Sequence, residues 1–392
     1  MVMHNQSVGK TSSGHPATTL EGNIPEEITA SDQEHFLRVV STELSPEQIE
    51  RIRKPETVFA HRQDVLAIHW HPEFIPLPLI EERINAMYPR MTRSLIIPTQ
   101  HNILMEYGDL TGVEIDCYSR GFNQKVQLLL HFRSDRLQNA GVLKEMLAHT
   151  YQYRQGQLYD FIDTITRPDQ MRLNKAARET GADSALIHFV RTYVGKISTL
   201  LESHETEIHP QMIRNKLLSN YFDQLRDIYG DTFIDRAQTF LRAVKVLVKA
   251  GFSLEYFYRT SEVIEEARSL GAGIVVPHPE QFWPVLLADY DVDGYEVWNP
   301  QSNRYTEFLV SVLKEKNRSG GPSRRRLLMF MGDDTHMGEK VKDPRYQNKE
   351  KAAREIGLQP AWEDLNVHKE LIMADMDRHI VIEEYRQRLL EA

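Results

Sequence analysis

Cysteine and long apolar runs are the scarcest features of this 392-residue sequence. Its single cysteine, Cys117, excludes an intrachain disulfide and a zinc site built from several thiolates. No apolar run approaches the roughly 20 residues that a membrane-spanning helix needs. The N-terminal stretch also lacks the apolar segment of a secretory signal. These absences predict a cytoplasmic protein that does not enter a membrane.

Excess positive charge is absent as well, since the formal net charge is -9. This balance disfavours nucleic-acid binding over the whole surface, although a local basic groove stays open. The content of hydrophobic residues, 41%, and of charged residues, 26%, is ordinary for a globular protein. The length allows one large domain, or a core domain that carries an insertion.

Short apolar runs typical of buried strands alternate with helical patterns near both ends of the chain. Between them, long amphipathic patterns with apolar residues at helical spacing dominate. An α/β barrel or a layered sheet with a helical insertion is therefore expected. The expected strands are 65–68, 94–97, 112–117, 125–131, 273–276, 294–298 and 327–331.

These patterns predict four parts of the chain. The Ser/Thr/Gly-rich start is expected to be a disordered leader. The predicted boundaries are 1–30 for the leader, 31–135 with 255–340 for the α/β part, 136–254 for the all-helical insertion and 341–392 for a helical tail.

Two histidines, His69 and His71, follow the first predicted strand and stand two positions apart. In a strand, residues i and i+2 point to the same side, so both imidazoles can reach one point where the strand ends. Later strand-like runs also end in, or contain, a histidine or a carboxylate. These further candidate ligands are His101, Glu114, His131, His278, Asp334 and His336.

Imidazole and carboxylate ligands together suit zinc, manganese or iron better than calcium or copper(I). Eight such groups are enough for two or three divalent ions when carboxylates and water bridge between them. Two ions about 3.5 to 4 Å apart can hold a bridging hydroxide and clamp the attacking and leaving oxygens of a phosphoryl transfer.

Seven short blocks of sequence, taken in their order along the chain, resemble the motifs of a known family. The blocks are His69-Trp70-His71, Pro98 to Asn102, Gly112 to Ile115, Leu130-His131, Pro277-His278-Pro279, Gly294 to Val297 with Asn299, and Gly332 to His336. Together they resemble the polymerase-and-histidinol-phosphatase (PHP) family. The stretch 261–278 is most similar to the branch of that family that hydrolyses oligonucleotides and nucleoside phosphates.

The resemblance implies a distorted (β/α)7 barrel with metals at the carboxyl ends of its strands. It implies hydrolysis of phosphomonoesters or of nucleotide and oligonucleotide phosphodiesters by a metal-bridged hydroxide. All eight candidate ligands would bind metal, and four of them, His69, His71, Asp334 and His336, would be the catalytic residues.

The sequence departs from the family pattern after the first histidine pair. The usual Ser-Asp-Gly loop is replaced by Pro72 to Leu77, where Glu73 is an alternative acidic ligand. Gln100 stands where the family favours an aspartate beside the histidine. The helical insertion is also long, and it is expected to roof the site and select the substrate.

Arginines just beyond ligand-bearing strands are the expected substrate contacts. Arg120 and Arg133 are each placed to hold a substrate phosphate, and Arg324, Arg325 and Arg326 form either a solvated loop or a phosphate-attracting patch. The expected substrate is a phosphorylated small molecule or a short nucleic acid.

Two other functions remain open at this point. An amidohydrolase-type barrel that cleaves C–N bonds also begins with His-x-His, but it normally offers a lone aspartate on its last strand and a bridging lysine. A metal-stabilised module without catalytic activity is the second alternative, in which the helical insertion would dock a partner protein.

Overall fold

The computed structural model describes residues 24–320 and 325–391. Most of the predicted leader, residues 1–23, and Arg324 of the arginine loop lie outside the described residues. The described chain has a mixed α/β fold, as the sequence predicts. None of its described helices is both long and apolar enough to cross a membrane.

The strands are short, apart from a central hairpin of two ten-residue strands. They are β1 Asp64–Ala67, β2 Trp70–His71, β3 Arg93–Ile96, β4 Met105–Tyr107, β5 Leu110–Ser119, β6 Gln124–Arg133, β7 Gly273–Val276, β8 Gly294–Trp298, β9 Leu328–Met331 and β10 Thr335–His336.

Helices separate the strands and fill the middle of the chain. They are α1 Ala30–Val40, α2 Pro46–Arg53, α3 Leu77–Met87, α4 Gly141–Thr166, α5 Gln170–Thr180, α6 Ser184–Ser203, α7 Lys216–Gln224, α8 Arg226–Tyr229, α9 Asp231–Ala250, α10 Thr260–Ser269, α11 Thr306–Ser319, α12 Met337–Lys340, α13 Lys349–Ala352, α14 Leu365–Met373 and α15 Arg378–Glu391.

The described chain divides into two compact units whose boundaries differ from the predicted insertion. The helical unit comprises residues up to Val39, Asp160–Glu207 and Lys216–Val248. The sheet-containing unit comprises Val40–Tyr159, Ile208–Asn215 and the chain from Lys249 onward. Helical periodicity in the sequence marked the helices, but it could not show that α1 belongs to the helical unit and the first part of α4 to the other.

The helical unit is built around aromatic contacts of α6. Phe189 lies edge-on to Phe222, Tyr229 and Phe233, with ring centroids 4.8 to 5.9 Å apart. Its buried charges are paired, because Lys196 Nζ donates to Asp32 Oδ2 at 2.7 Å. Burial of this ion pair is tolerated because both partners are hydrogen-bonded.

The strands of the second unit pair in a mixed pattern. Four pairs are parallel: β1 with β3, β2 with β10, β7 with β8, and β8 with β9. β4, β5, β6 and β7 pair antiparallel in sequence order. β6 therefore runs opposite to both of its neighbours, and its carboxyl end lies beside the amino ends of β5 and β7.

Backbone hydrogen bonds beyond the strand ends connect these pairs. Asn102 N donates to Glu114 O at 2.7 Å and Glu114 N to Gln100 O at 3.2 Å, which joins the chain after β3 to β5. Asp334 N donates to His69 O at 2.9 Å, which joins the chain after β9 to the chain after β1. The segments that follow these strands are thereby brought side by side.

The core explains the apolar runs of the sequence. Every residue of β7 and of β9 is buried, so these strands show unbroken apolar runs instead of alternation. The predicted tail supplies part of this core. Tyr385 and Leu389 of α15 pack so closely on Gly273 that a Cβ there would lie 2.4 Å from the Tyr385 hydroxyl oxygen.

Replacing Gly294 by alanine tests the close packing of β8 against β9. A Cβ at this position would lie 2.2 Å from the Leu328 carbonyl oxygen, which is backbone and cannot rotate away. We expect G294A to lower the free energy of unfolding by about 1 to 3 kcal/mol in urea denaturation. The control G121A, whose Cβ would meet no atom within 4 Å, should change it by less than about 0.5 kcal/mol. Equal free energies of unfolding for G294A and G121A would contradict the close packing of β8 against β9.

Candidate metal centre

The pair His69 and His71 lies beside the pair Asp334 and His336, at the ends of neighbouring strands. In the parallel pairing of β2 with β10, His336 lies opposite His71. His69 precedes β2 and Asp334 precedes β10, joined by the backbone hydrogen bond between them. The i, i+2 spacing of each pair therefore directs all four side chains into one region.

His101, Glu114 and His278 complete this region from other strands. His101 forms a parallel bridge with Glu114 in the middle of β5, and its Nδ1 lies 2.7 Å from Glu114 Oε2. His278 follows the carboxyl end of β7 with a backbone φ of 30°. Such left-handed backbone at a non-glycine residue is typical of functional sites, where the chain must leave a strand abruptly.

Seven of the eight predicted ligands come together in three overlapping groups. Within each group the ligand atoms lie within 4.8 Å of one another. Among the described residues, the groups are His71 with His101 and His336, His69 with His71 and Asp334, and His69 with Glu114 and His278. His71 belongs to the first two groups and His69 to the last two, so the three groups adjoin one another.

Buried polar atoms without hydrogen-bond partners show that these residues fit cations. Such atoms are costly in a protein interior unless a partner satisfies them. Among the described residues of this region they are His69 Nε2, both ring nitrogens of His71, Glu114 Oε1, His278 Nδ1 and His336 Nδ1. His101 Nδ1 and Glu114 Oε2 lie 2.7 Å apart but form no hydrogen bond of acceptable geometry. Imidazole nitrogens and carboxylate oxygens are the donors that zinc, manganese and iron accept.

The packing of the histidines favours a neutral imidazole at His71. His71 stacks against both His101 and His336, with centroid distances of 4.3 and 4.4 Å. Burial, together with these two neighbouring imidazoles, lowers the pKa of His71 well below its usual value. A neutral imidazole keeps the lone pair that metal binding requires.

Glu296 on β8 orients His69, a role that the sequence pattern does not predict. Burial by itself lowers the pKa of His69, but the carboxylates of Glu296, Asp334 and Glu114 outweigh burial and raise it to about 10. Glu296 Oε1 lies 2.6 Å from His69 Nδ1, which leaves Nε2 facing the candidate metal centre. A carboxylate on the far nitrogen of a histidine ligand commonly fixes its tautomer and ring orientation.

The Glu296 carboxylate is itself held tightly in place. Its Oε2 accepts a hydrogen bond from the His278 backbone N–H at 2.9 Å. A Cβ at Gly332 would lie 2.1 Å from Glu296 Oε1, so the close approach requires glycine there. The signal that could have identified Glu296 is a carboxylate inside a fully apolar strand, the same signal that identified Glu114.

Asp334 is positioned by residues outside the predicted set. Arg354 Nη1 donates to Asp334 Oδ2 at 2.8 Å, and Gln301 Nε2 donates to the same oxygen at 2.5 Å. The other oxygen, Oδ1, therefore faces His71 Nε2 at 3.5 Å and His336 Nε2 at 3.4 Å. Burial raises the pKa of Asp334, but the histidine contacts outweigh it and lower the pKa well below its usual value.

Glu73, the alternative acidic ligand, lies at the edge of the candidate metal centre. It is buried, its backbone φ is 53°, and its Oε1 lies 3.6 Å from His336 Nδ1. The same oxygen accepts a hydrogen bond from Arg214 Nη1 at 2.6 Å. Glu73 is outside the three groups, and its ligand role stays a prediction.

His131 requires a correction, because the structure does not bring it to the other ligands. It lies near the carboxyl end of β6, the antiparallel strand, so it faces the amino ends of β5 and β7. Its Nδ1 lies 2.7 Å from the Tyr385 hydroxyl and its Nε2 lies 3.1 Å from the Ile68 carbonyl oxygen. Since the carbonyl can only accept, Nε2 donates and Nδ1 accepts from Tyr385, which leaves no lone pair for a metal.

The two predicted substrate arginines lie in different places. Arg133 is also near the carboxyl end of β6 and pairs with Asp135 at 2.6 Å, so the structure does not support a role at the metal centre. Arg120 is exposed and lines a groove of about 650 Å³ together with Tyr118, Tyr256 and Arg259. Its substrate role stays a prediction.

Comparisons with known proteins leave the family open. No family model and no curated protein matches the chain. The chain is similar to the crystal structure of a candidate metal-dependent phosphoesterase from Bifidobacterium adolescentis, with 16% sequence identity, 80% of this chain and 97% of that chain covered, and a TM-score of 0.41. A likeness this low assigns neither a fold nor an activity, and the PHP resemblance stays a prediction.

Replacing His71 by alanine tests whether this side chain, which belongs to two of the three groups, binds metal. We expect H71A to weaken binding of Mn²⁺ or Zn²⁺ by more than about 100-fold, because the change removes a ligand and not merely its support. Metal content after dialysis, measured by mass spectrometry, gives the result. H131A should keep the wild-type metal content, and loss of metal in that variant would restore His131 to the ligand set.

The buried state of His131 predicts a pH dependence of stability. Burial lowers its pKa to about 3 in the folded protein, against about 6.5 in the unfolded chain. The unfolded state therefore binds more protons, and stability falls as the pH decreases from 6.5 toward 3. Between pH 6.5 and 4.5, the metal-free protein should lose about 2 to 3 kcal/mol more than H131Q in urea denaturation. Equal losses of stability in the wild type and H131Q would contradict the lowered pKa of His131.

Proposed function

We propose that this chain is a metal-dependent phosphoesterase of the PHP type that hydrolyses phosphomonoesters or phosphodiesters of nucleotides. The observation that carries the proposal is the set of three overlapping groups of candidate ligands, which are linked through His69 and His71 and are largely buried. Side chains shared between groups would keep neighbouring ions close together, and closely spaced ions are typical of phosphoester hydrolysis.

The strand connections support a barrel of the PHP type. Strand pairing joins β1 to β3, β5 through β9 in order, and β10 to β2. Contacts of the segments after β3 and after β9 connect these sets, so that the order runs β1, β3, β5, β6, β7, β8, β9 and through β10 back to β2. Because β2 directly follows β1, this order returns to its starting point through seven strand positions. A ring of this kind places the carboxyl ends of six parallel strands at one mouth.

Two or three divalent ions, zinc, manganese or iron, fit the three groups. Bound there, they would lower the pKa of water and neutralise negative charge on the phosphate oxygens. Five imidazoles and two carboxylates would hold them. The predicted catalytic residues, His69, His71, Asp334 and His336, are all part of this set.

The surrounding residues of the chain keep the ligands in their binding geometry. Glu296 holds His69 so that Nε2 faces the site, and Arg354 with Gln301 holds Asp334 so that Oδ1 faces it. These contacts fix the donor atoms before substrate arrives, so little reorganisation is needed when charge develops on the phosphate.

An activity screen with alanine variants tests the proposal. The protein with added Mn²⁺ or Zn²⁺ should hydrolyse at least one of p-nitrophenyl phosphate, a nucleoside monophosphate or a short oligonucleotide. His69→Ala and Asp334→Ala should lower kcat/KM by more than about 1,000-fold, because each removes a ligand whose position determines the centre.

The control is His61→Ala, which removes an exposed histidine that belongs to none of the three ligand groups and should retain full activity. Circular dichroism would show that each variant is folded. Activity retained by folded His69→Ala or Asp334→Ala, or no hydrolysis by the metal-loaded wild type of any of these esters, would refute the proposal.

A further inference from the structure

Helix α4 and the segment before α7 contact each other near the candidate metal centre. Asn215 Nδ2 donates to Gln157 Oε1 at 3.4 Å. Gln157 lies three residues after Arg154 on α4, and residues three apart share a helix face. Arg214 directly precedes Asn215, so this contact brings Arg154 and Arg214 into the same neighbourhood. Both arginines belong to the sheet-containing unit.

Arg214 reaches the ligand cluster directly. Its Nη1 donates to Glu73 Oε1 at 2.6 Å, and that oxygen lies 3.6 Å from His336 Nδ1. The Arg214 side chain is 18% exposed, so the guanidinium borders the candidate metal centre and remains open to solvent. A guanidinium held by one oxygen keeps further N–H donors for a second anion.

Arg154 is half-buried, and its charge has no partner within the part of the chain that the structure describes. Among the described residues it makes no hydrogen bond or ion pair. Its electrostatic neighbours are Asp116 and Glu114, with Arg214 as a like charge. Asp116 is already matched, because Lys125 Nζ lies 2.6 Å from its Oδ1. Glu114 belongs to the ligand set, so metal binding would remove the remaining negative charge available to Arg154.

An anion of the substrate would satisfy this arrangement. A half-buried guanidinium without a partner, beside another guanidinium, is unfavourable until negative charge enters. Burial lowers the pKa of Arg154 and the nearby Arg214 opposes its charge further, while Asp116 and Glu114 raise it. Guanidinium groups bind phosphate oxygens through two parallel hydrogen bonds, which gives geometry as well as strength.

We infer that Arg154 and Arg214 form a phosphate-recognition site beside the metal centre that selects dianionic phosphomonoesters over monoanionic phosphodiesters. The inference rests on the proposed function and specifies its substrate class. Divalent ions among two carboxylate ligands already leave excess positive charge, and Arg154 adds to it. A phosphomonoester carries close to two negative charges at neutral pH, so it matches this excess better than a diester does.

The test compares two arginine variants with a matched lysine variant. Arg154→Gln and Arg214→Gln each remove one guanidinium, and Lys144→Gln removes one exposed positive charge from the same helix, α4, as Arg154. Titration calorimetry of the metal-loaded proteins with inorganic phosphate gives the dissociation constant. Assays with p-nitrophenyl phosphate and bis(p-nitrophenyl) phosphate give kcat/KM for a monoester and a diester.

Each arginine variant should raise the dissociation constant of phosphate by about 10- to 100-fold, the range for losing a hydrogen bond to a charged group. The ratio of monoester to diester kcat/KM should fall by about tenfold or more, with metal content unchanged. Lys144→Gln should behave as the wild type in every measurement.

The inference is overturned if both arginine variants bind phosphate within twofold of the wild type, or if the wild type binds no phosphate. Loss of metal together with phosphate binding would also overturn it, because the arginines would then serve the metal ligands alone. Failure of the proposed function looks different. In that case the wild type binds phosphate through both arginines but hydrolyses neither ester.

Discussion

The convergence of five imidazoles and two carboxylates in one largely buried region, where only His101 and His336 are partly exposed, is the constraint on which this structure depends. Most of their ligand atoms lack hydrogen-bond partners among the described residues, and such atoms are tolerated in an interior only when something else satisfies them. Divalent cations do this for several donors at once. Burial and the neighbouring imidazoles of His101 and His336 lower the pKa of His71, which favours the neutral ring with one nitrogen lone pair available to a metal.

Residues far apart in the sequence hold these donors in position. Glu296 from β8 orients His69, and Arg354 from the segment after α13 holds Asp334. Left-handed backbone at His278 and Asp334 turns the chain sharply where the strands end. This combination of supporting hydrogen bonds and local strain is typical of sites whose geometry is set before the ligand arrives. The C-terminal segments, which the sequence left without a role, therefore support both the core and the site.

Strand direction separates the seven candidate ligands that converge from His131, the eighth residue that the sequence predicts as a ligand. Each of the seven converging residues lies at or beyond the carboxyl end of a parallel strand, apart from Glu114, which lies within β5. His131 also stands near a strand end, but β6 runs antiparallel to its neighbours. Its ring therefore lies among core residues and bonds to Tyr385 and Ile68. A sequence pattern records where a strand ends but not the direction in which it runs through a sheet.

The sequence by itself determined the mixed α/β class, the apolar strands and the spacing of His69 with His71 and of Asp334 with His336. These features follow from local periodicity, since residues two apart in a strand share a face whatever the rest of the chain does. Only the tertiary structure decided the unit boundaries, the direction of β6, and the contacts of Glu296, Arg354 and Arg214. Those depend on contacts between segments separated by up to hundreds of residues, and a buried carboxylate or arginine gives no local sign of the partner it will meet.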